Sequence, residues 1–173
     1  MQDDRSAIIN IVNLYAVAVD ARRYDLFAQV FSDDIQCDFG GGAAFTNRDA
    51  LESAFAAIHA VFDSTQHLTS GHVISLNGDR ANCLSYVVGR FRRRLEDGEG
   101  FFESAGWYDD FLVRTPVGWR IRERASRMVS TSGDLRVMQV MPGVDTNYEL
   151  FSLFNEADKG SVRFFSLPPA PGS

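Results

Sequence analysis

Cysteine, histidine and proline are scarce in this chain, with two, three and five copies among 173 residues. Cys37 and Cys83 do not form a C-x-x-C pair, which excludes the common zinc and thiol-redox motifs. We interpret both as small buried strand residues of a protein in a reducing compartment. His67 and His72 fall on opposite faces of a predicted strand, and His59 fits a structural role beside an apolar helix stripe. No metal site is therefore expected.

A long hydrophobic run and an excess of basic charge are also missing. No segment approaches the roughly 20 apolar residues that cross a bilayer, and the acidic first six residues do not resemble a signal peptide. The formal net charge of −6 argues against non-specific binding of nucleic acid. The arginines within residues 90–94 fall on both faces of a predicted strand, as in an ion-paired sheet edge or a subunit contact. We expect a cytoplasmic protein without a membrane or nucleic-acid partner.

Hydrophobic periodicity is helical in the first third of the chain and then becomes that of strands. The predicted helices cover about residues 4–20, 24–31 and 48–62, with a short strand at 35–39. After them, turns such as Asn77-Gly78 separate four strands: about residues 67–76, 81–95, 101–115 and 119–129. Helices gathered on one side of an antiparallel sheet make an α+β fold.

The end of the chain is predicted to be an extension of this domain. We expect one domain over residues 1–132 and an extension over residues 133–173. Leu150, Phe151, Leu153 and Phe154 make the extension too apolar to be freely solvated. We therefore expect these side chains to be covered, with the extension packing on the core, forming a lid over a cavity or contacting a second subunit.

Several short motifs follow this order of elements: Tyr15, Asp20, Thr65-Gln66-His67, Gly106-Trp107-Tyr108, Arg114 and Gly118-Trp119-Arg120-Ile121. With them, roughly residues 3–130 resemble the SnoaL-like branch of the nuclear-transport-factor-2-like (NTF2-like) superfamily. Within that branch the chain is similar to the scytalone-dehydratase-like group, which includes bile-acid dehydratases and hexachlorocyclohexane dehydrochlorinase. The resemblance implies a cone in which a strongly curved antiparallel sheet and about three N-terminal helices enclose an apolar pocket.

The resemblance also implies roles for individual residues. Asp20 and His67 match the family's acid–base pair. Tyr15 matches the position where the bile-acid enzymes place a Tyr and the dehydrochlorinase a Lys, and Arg114 matches an Arg near the dehydrochlorinase leaving group. The strand that reads Arg90-Phe91-Arg92 carries neither the second His of scytalone dehydratase nor the Asp of the bile-acid enzymes.

The residues themselves leave alternatives open. A carboxylate at a helix C-terminus, such as Asp20, faces the negative end of the helix dipole, which costs about 0.3–1 kcal/mol. It is either solvated and compensated by the two arginines that follow, or held by His67. Tyr15 fits core packing as well as ligand binding, and Arg114 fits a solvated charge before a turn. Tyr108 and Arg114 share one strand parity, so an unbulged strand would point both to the same face.

We therefore expect a cofactor-independent lyase or isomerase, most specifically a dehydratase, acting on a small hydrophobic ring-type molecule such as a polyketide, steroid or aromatic compound. His67, held by Asp20, would abstract a proton while Tyr15 or Tyr108 bonds the oxygen and Arg114 assists the leaving anion. The expected substrate-binding residues are Tyr108, Phe55, Phe91 and Trp107. A homodimer or homotrimer is expected. The alternative is a non-catalytic ligand-binding module or the small subunit of an aromatic-ring dioxygenase.

Overall fold

A computed structural model describes residues 3–140 and 148–166 of the chain. Its helices and strands are, in order, α1 (Asp4–Asp20), α2 (Phe27–Val30), β1 (Phe31–Asp38), β2 (Ala44–Phe45), α3 (Arg48–His59), β3 (Ser64–Asn77), β4 (Arg80–Leu95), β5 (Gly98–Thr115), β6 (Gly118–Gly133) and α4 (Leu153–Asp158). In the part of the chain that the structure describes, every helix is too short or too polar to cross a membrane.

The six strands form one curved sheet in the order β2-β1-β6-β5-β4-β3. Strands β3 to β6 are joined by hairpins and pair antiparallel, which confirms the α+β fold expected from the sequence. The sheet is nevertheless mixed, because β1 runs parallel to β6, with Cys37 opposite Arg124. A pairing between residues so far apart in the chain involves no turn motif, so the sequence carries no local signal for it.

Helices α1 and α3 cover one face of this sheet. Asp3 caps α1, since its carboxylate accepts a hydrogen bond from the Ser6 N–H at 3.0 Å. Asn47 caps α3 in the same way through the Ala50 N–H, at 2.8 Å. The two helices bury apolar side chains against the sheet: Ile8, Val12, Tyr15 and Val19 from α1, and Leu51 and Phe55 from α3. Helix α3 ends at His59 and not at Phe62, because β3 already begins at Ser64.

The described part of the C-terminal extension packs on both faces of the sheet. On the helix-covered face, Val137 is fully buried in a cluster with Phe62 and Phe102, whereas residues 151–164 lie on the opposite face. Val162, which is 2% exposed, lies in a cluster with Trp107 of β5. The buried carboxylate of Asp109 accepts hydrogen bonds from the main-chain N–H groups of Arg163 at 2.5 Å and Phe164 at 3.1 Å. This carboxylate therefore fixes the last described turn of the chain to β5.

Coverage of the four apolar side chains at residues 150–154 is uneven. Phe151 and Leu153 are partly buried, and the Phe151 N–H donates to the Met128 carbonyl at 2.7 Å. Leu150 and Phe154 are 54% and 78% exposed, so the described residues of this chain do not cover them. Their contact with a second subunit stays a prediction. Residues 141–147 and 167–173 of the extension lie outside the described residues.

Candidate active site

The end of α1 is built to hold Asp20 in place. Arg22 has φ +54°, a left-handed conformation that is uncommon for a residue other than glycine. Its N–H donates to the Val19 carbonyl at 3.0 Å and the next N–H donates to the Ala18 carbonyl at 2.8 Å, the two bonds of a Schellman motif. The Arg22 guanidinium also donates to the carbonyl of Phe62. The last turn of α1 is thereby tied to the segment that enters β3.

Asp20 and His67 meet where α1 ends and β3 begins. The Nδ1 atom of His67 lies 2.7 Å from Asp20 Oδ1, and the main-chain N–H of His67 donates to Oδ2 at 2.7 Å. The Thr65 hydroxyl donates to Oδ1 at 2.8 Å. An ionised carboxylate only accepts hydrogen bonds, so Nδ1 of His67 carries the proton. In the neutral ring Nε2 is then left as the acceptor.

The electrostatic balance keeps the Asp20 carboxyl ionised. Burial alone would raise the pKa of Asp20, but the hydrogen bonds from the His67 side chain and main chain and from Thr65 outweigh it and hold the pKa below its usual range. An ionised carboxylate on the Nδ1–H stabilises the imidazolium that forms when Nε2 takes up a proton. The pair is therefore arranged as a general base with its orienting group.

The side chain of His67 lines a cavity of about 210 Å³ between the helices and the sheet. Most of the wall is apolar, and its phenylalanines are Phe39, Phe45, Phe55, Phe62, Phe91 and Phe102. The polar side chains that reach the cavity are few: Tyr15, His59, His67, Ser104, Tyr108 and Ser126. An apolar wall with a small number of polar groups is typical of a site for a small organic ligand.

Tyr15 and Tyr108 form the deepest polar part of this cavity. Their rings meet edge to face, with the centroids 5.8 Å apart. The guanidinium of Arg124 stacks on both rings, 4.3 Å from the centroid of Tyr15 and 4.1 Å from that of Tyr108. Burial raises the pKa of Tyr108 to about 12, although the Arg124 charge and the hydrogen bond with Tyr15 act in the opposite direction. Burial also raises the pKa of Tyr15, so both phenols stay protonated at neutral pH and the pair can present a hydroxyl proton to a ligand oxygen.

The positive charge behind the tyrosines belongs to a fully buried ion pair. Arg124 Nε and Nη2 donate to the two carboxylate oxygens of Asp110, each at 2.7 Å, and both side chains are 0% exposed. Sequence reasoning missed this pair. A signal existed, because Asp110 shares strand parity with Tyr108 and therefore faces inward. Its partner on β6 is Arg124, but that register depends on a bulge between Phe111 and Leu112.

Arg114 does not belong to the cavity, so the role expected for it is wrong. Its guanidinium donates to Asp4 at 2.5 Å and to Asp79 at 2.9 Å, and the side chain is 37% exposed. The shared parity with Tyr108 was too weak an argument, because six residues along a strand span about 20 Å. Arg114 therefore lies beyond the end of the cavity, beside the start of α1.

Arg127 of β6 borders the cavity with its main chain, while its side chain lies on the outer face of the sheet beside its cross-strand partner Trp107. The Arg127 guanidinium donates to the Asp38 carboxylate at 2.7 Å and lies 5.3 Å from the ring centroid of Phe151. Gly106 makes room for this strand, because a Cβ there would come within 2.0 Å of the Arg127 carbonyl oxygen. A side chain at position 106 would therefore displace β6 and the cavity wall.

Trp107 was expected to bind substrate, and this expectation is also wrong. Its neighbours Gly106 and Tyr108 line the cavity, and successive strand residues point to opposite faces. The Trp107 side chain therefore lies on the other face of the sheet, where it packs with Leu84 and Val162.

The remaining expected site residues come together at the cavity. Tyr15, Tyr108, Phe55 and Phe91 line it with His67, and Asp20 lies directly behind the imidazole. His59 lines it as well, although its position beside an apolar stripe had indicated a structural role. The stripe of α3 faces the cavity, so a residue at its margin can contact a ligand.

Both cysteine thiols are buried. Burial raises the pKa of the Cys37 and Cys83 thiols to about 12, so both stay protonated at neutral pH. Within residues 3–140 and 148–166, His, Cys, Asp and Glu side chains form no group of three that could hold a metal ion.

Sequence comparison agrees with this architecture. The sequence model of the SnoaL-like domain matches residues 2–125. The chain belongs to the SnoaL-like family. The uncharacterized protein Rv2910c of Mycobacterium tuberculosis is 28% identical over 126 residues, which cover 70% of this chain and 82% of that protein.

Solved structures place the SnoaL-like chain in the NTF2-like superfamily. The Kfla4162 protein of Kribbella flavida has a TM-score of 0.71 and 27% identity, covering 75% of this chain and 93% of that one. A Novosphingobium aromaticivorans protein, provisionally assigned as a scytalone dehydratase, has a TM-score of 0.66 and 25% identity. That match covers 74% of this chain and 85% of the other.

Proposed function

We propose that this SnoaL-like protein is a cofactor-independent lyase or isomerase, and most specifically a dehydratase of a small hydrophobic ring compound. The observation that carries the proposal is the Asp20–His67 pair, with a 2.7 Å hydrogen bond on Nδ1 and its Nε2 left for a ligand in an apolar cavity. The similarity to a provisionally assigned scytalone dehydratase supports the same reaction class.

The first step is proton abstraction from a carbon next to a carbonyl group. His67 Nε2 takes the proton, and the C–H electron pair forms the carbon–carbon double bond of an enolate. The negative charge develops on the carbonyl oxygen, where the hydroxyls of Tyr15 and Tyr108 can donate hydrogen bonds. Preorganised donors of this kind, each removed singly, typically account for about 10²–10³-fold in rate.

The second step is loss of water from the neighbouring carbon. The enolate re-forms the carbonyl, the electron pair moves to a new carbon–carbon double bond, and the carbon–oxygen bond of the leaving hydroxyl breaks. The imidazolium of His67 returns its proton to this hydroxyl, so water leaves and the neutral imidazole is restored. One residue serves as base and then as acid, which removes the need for a second histidine on β4.

The cavity limits the size of the substrate. Its volume of about 210 Å³ lies below the roughly 300–1,000 Å³ of pockets that hold drug-sized ligands. One ring or two fused rings suit such a space better than a steroid. The aromatic wall favours a flat ring system, because edge-to-face contacts add about 0.5–1.5 kcal/mol per aromatic pair.

The test uses 3-hydroxy-1-tetralone, a bicyclic β-hydroxy ketone that gives 1-naphthol after loss of water. We expect the wild type to accelerate naphthol formation and to exchange the C2 protons of 1-tetralone in deuterated water. His67→Ala and Asp20→Asn should each lower the rate by about 10²–10⁴-fold, and the double variant should be no slower than His67→Ala. Arg114→Ala is the matched control, since that arginine lies outside the cavity.

An unchanged rate in His67→Ala would overturn the proposed mechanism. It would favour the alternative of a non-catalytic ligand-binding module or dioxygenase small subunit, which has no need of the pair. We also propose that residues 1–132 form the domain and residues 133–173 an extension that packs on this domain. Assembly as a homodimer or homotrimer stays a prediction, for which light scattering after gel filtration is the measurement.

A further inference from the structure

The cavity contains a second imidazole, which the proposed reaction does not use. His59 is the last residue of α3, and its side chain lines the cavity although the residue is only 6% exposed. Its ring stacks on Phe55 with the centroids 5.2 Å apart. The ring centroid of His67 lies 6.5 Å away, so one bound ring system can contact both histidines.

The hydrogen bond that His59 makes decides which nitrogen faces a ligand. Its Nδ1 atom lies 2.9 Å from the carbonyl oxygen of Phe55, one helical turn earlier. A carbonyl oxygen only accepts, so Nδ1 must carry the proton and Nε2 must hold a lone pair. The hydrogen bonds of the described residues leave this Nε2 without a partner.

The two histidines of the cavity have different electrostatic surroundings. His67 rests on the carboxylate of Asp20, whereas His59 has no carboxylate within hydrogen-bond distance among the described residues. Burial is the main reason that the pKa of His59 is lowered to about 4, and it outweighs the hydrogen bond to the Phe55 carbonyl and the charge of Asp20, which act in the opposite direction. At neutral pH, His59 is an uncharged hydrogen-bond acceptor.

We propose that His59 selects the ligand. Its Nε2 accepts a hydrogen bond from a hydroxyl group on the bound ring, so the cavity favours hydroxylated aromatic or cyclic compounds over the same rings without a hydrogen-bond donor. The proposal rests on the proposed function only in taking this cavity as the ligand site. It deepens that function by adding a hydroxyl that is kept in the product, separate from the one that leaves.

The other polar groups of the cavity do not meet this requirement. The hydroxyls of Tyr15 and Tyr108 are assigned to the carbonyl oxygen, and those of Ser104 and Ser126 can donate as well as accept. Nε2 of His67 is the base that must stay free for the reacting carbon. Apart from this base, His59 is the side chain of the cavity whose free polar atom can only accept.

The test compares two probes of nearly the same shape, 2-naphthol and 2-methoxynaphthalene, of which only the first can donate a hydrogen bond. Dissociation constants are measured by calorimetric titration at neutral pH. We expect the wild type to bind 2-naphthol about five- to tenfold more tightly, the effect of one neutral hydrogen bond. His59→Phe should abolish this preference and leave the affinity for 2-methoxynaphthalene within about twofold.

His67→Phe is the matched control, because it removes the other imidazole and should keep the preference. His59→Met, a second variant without a strong acceptor, replaces His59→Phe if that protein does not fold by circular dichroism. The proposal would be overturned if the preference for 2-naphthol survived in the His59 variants or was lost in His67→Phe. It would also be overturned if the wild type bound both probes equally or bound neither. Binding is measured without turnover, so these dissociation constants do not depend on whether the Asp20–His67 pair is catalytic.

Discussion

Replacing Arg124 by Met would remove one half of the buried ion pair and leave the other half without a partner. The Asp110 carboxylate loses two hydrogen bonds of 2.7 Å in a place where its side chain is 0% exposed. The rings of Tyr15 and Tyr108 also lose the guanidinium that stacks on both. Removing one partner of such a pair typically costs about 3–5 kcal/mol of unfolding free energy.

The expected magnitude is large for a domain with a total stability of about 5–15 kcal/mol. With an m value of about 2 kcal/mol per molar urea, a loss of 4 kcal/mol lowers the urea midpoint by about 2 M. Asp110→Leu should destabilise to a similar degree, because it leaves the guanidinium as the uncompensated charge. The double variant Arg124→Met/Asp110→Leu should lose less than either single variant, since an apolar pair leaves no orphaned charge.

The assay is a double-mutant cycle of urea unfolding followed by tryptophan fluorescence and circular dichroism. Arg114→Met is the matched control, because its ion pairs with Asp4 and Asp79 are partly exposed and are typically worth about 0–1 kcal/mol. If the two single losses simply add in the double variant, or if Arg124→Met loses less than about 1 kcal/mol, the reasoning from a buried charge is refuted.

Three further outcomes are expected. The pKa of His59 in the folded state is about 4, below its ordinary value of 6.5. Between these two pH values the unfolded chain binds more protons, so the free energy of unfolding falls as pH drops through that window. His59→Phe should remove up to about 3 kcal/mol of this loss, and equal pH profiles for both proteins would contradict it. Asp109→Ala should release the last described turn and speed proteolysis after Ser132, and unchanged cleavage would contradict the anchoring role. Arg114→Ala should keep turnover within about twofold, and a loss of 10²-fold would return this arginine to the mechanism.

Local spacing predicted a helix that ends at Asp20 and a strand that begins near His67. Their meeting was predicted from the resemblance to the SnoaL-like family, because the two residues are 47 positions apart and the residues alone left a solvated Asp20 open. Tyr15 lies on the same helix stripe that packs on the sheet. These relations survive small errors in strand boundaries, such as the start of β3 at Ser64.

The parts that depend on long-range geometry could not be predicted in the same way. Arg114 was misplaced because no local pattern records how far the cavity extends along a strand. Trp107 was misplaced although strand alternation alone puts it on the face opposite Tyr108. The Asp110–Arg124 pair depends on the register of β5 against β6, and that register shifts at bulges. His59 was expected to be structural, because the sequence does not show which side of α3 borders the cavity.

The main-chain hydrogen bond from residue 67 helps to hold the Asp20 carboxylate in place whichever side chain residue 67 carries. Oδ2 is bonded to the N–H of the backbone at 2.7 Å, a contact that any residue except proline can supply. A glycine at position 67 would therefore leave an imidazole-sized vacancy beside a carboxylate that is still correctly placed. Added imidazole would then occupy the vacancy and restore turnover by chemical rescue. Other small bases that are not amino-acid side chains could be tested at the same place.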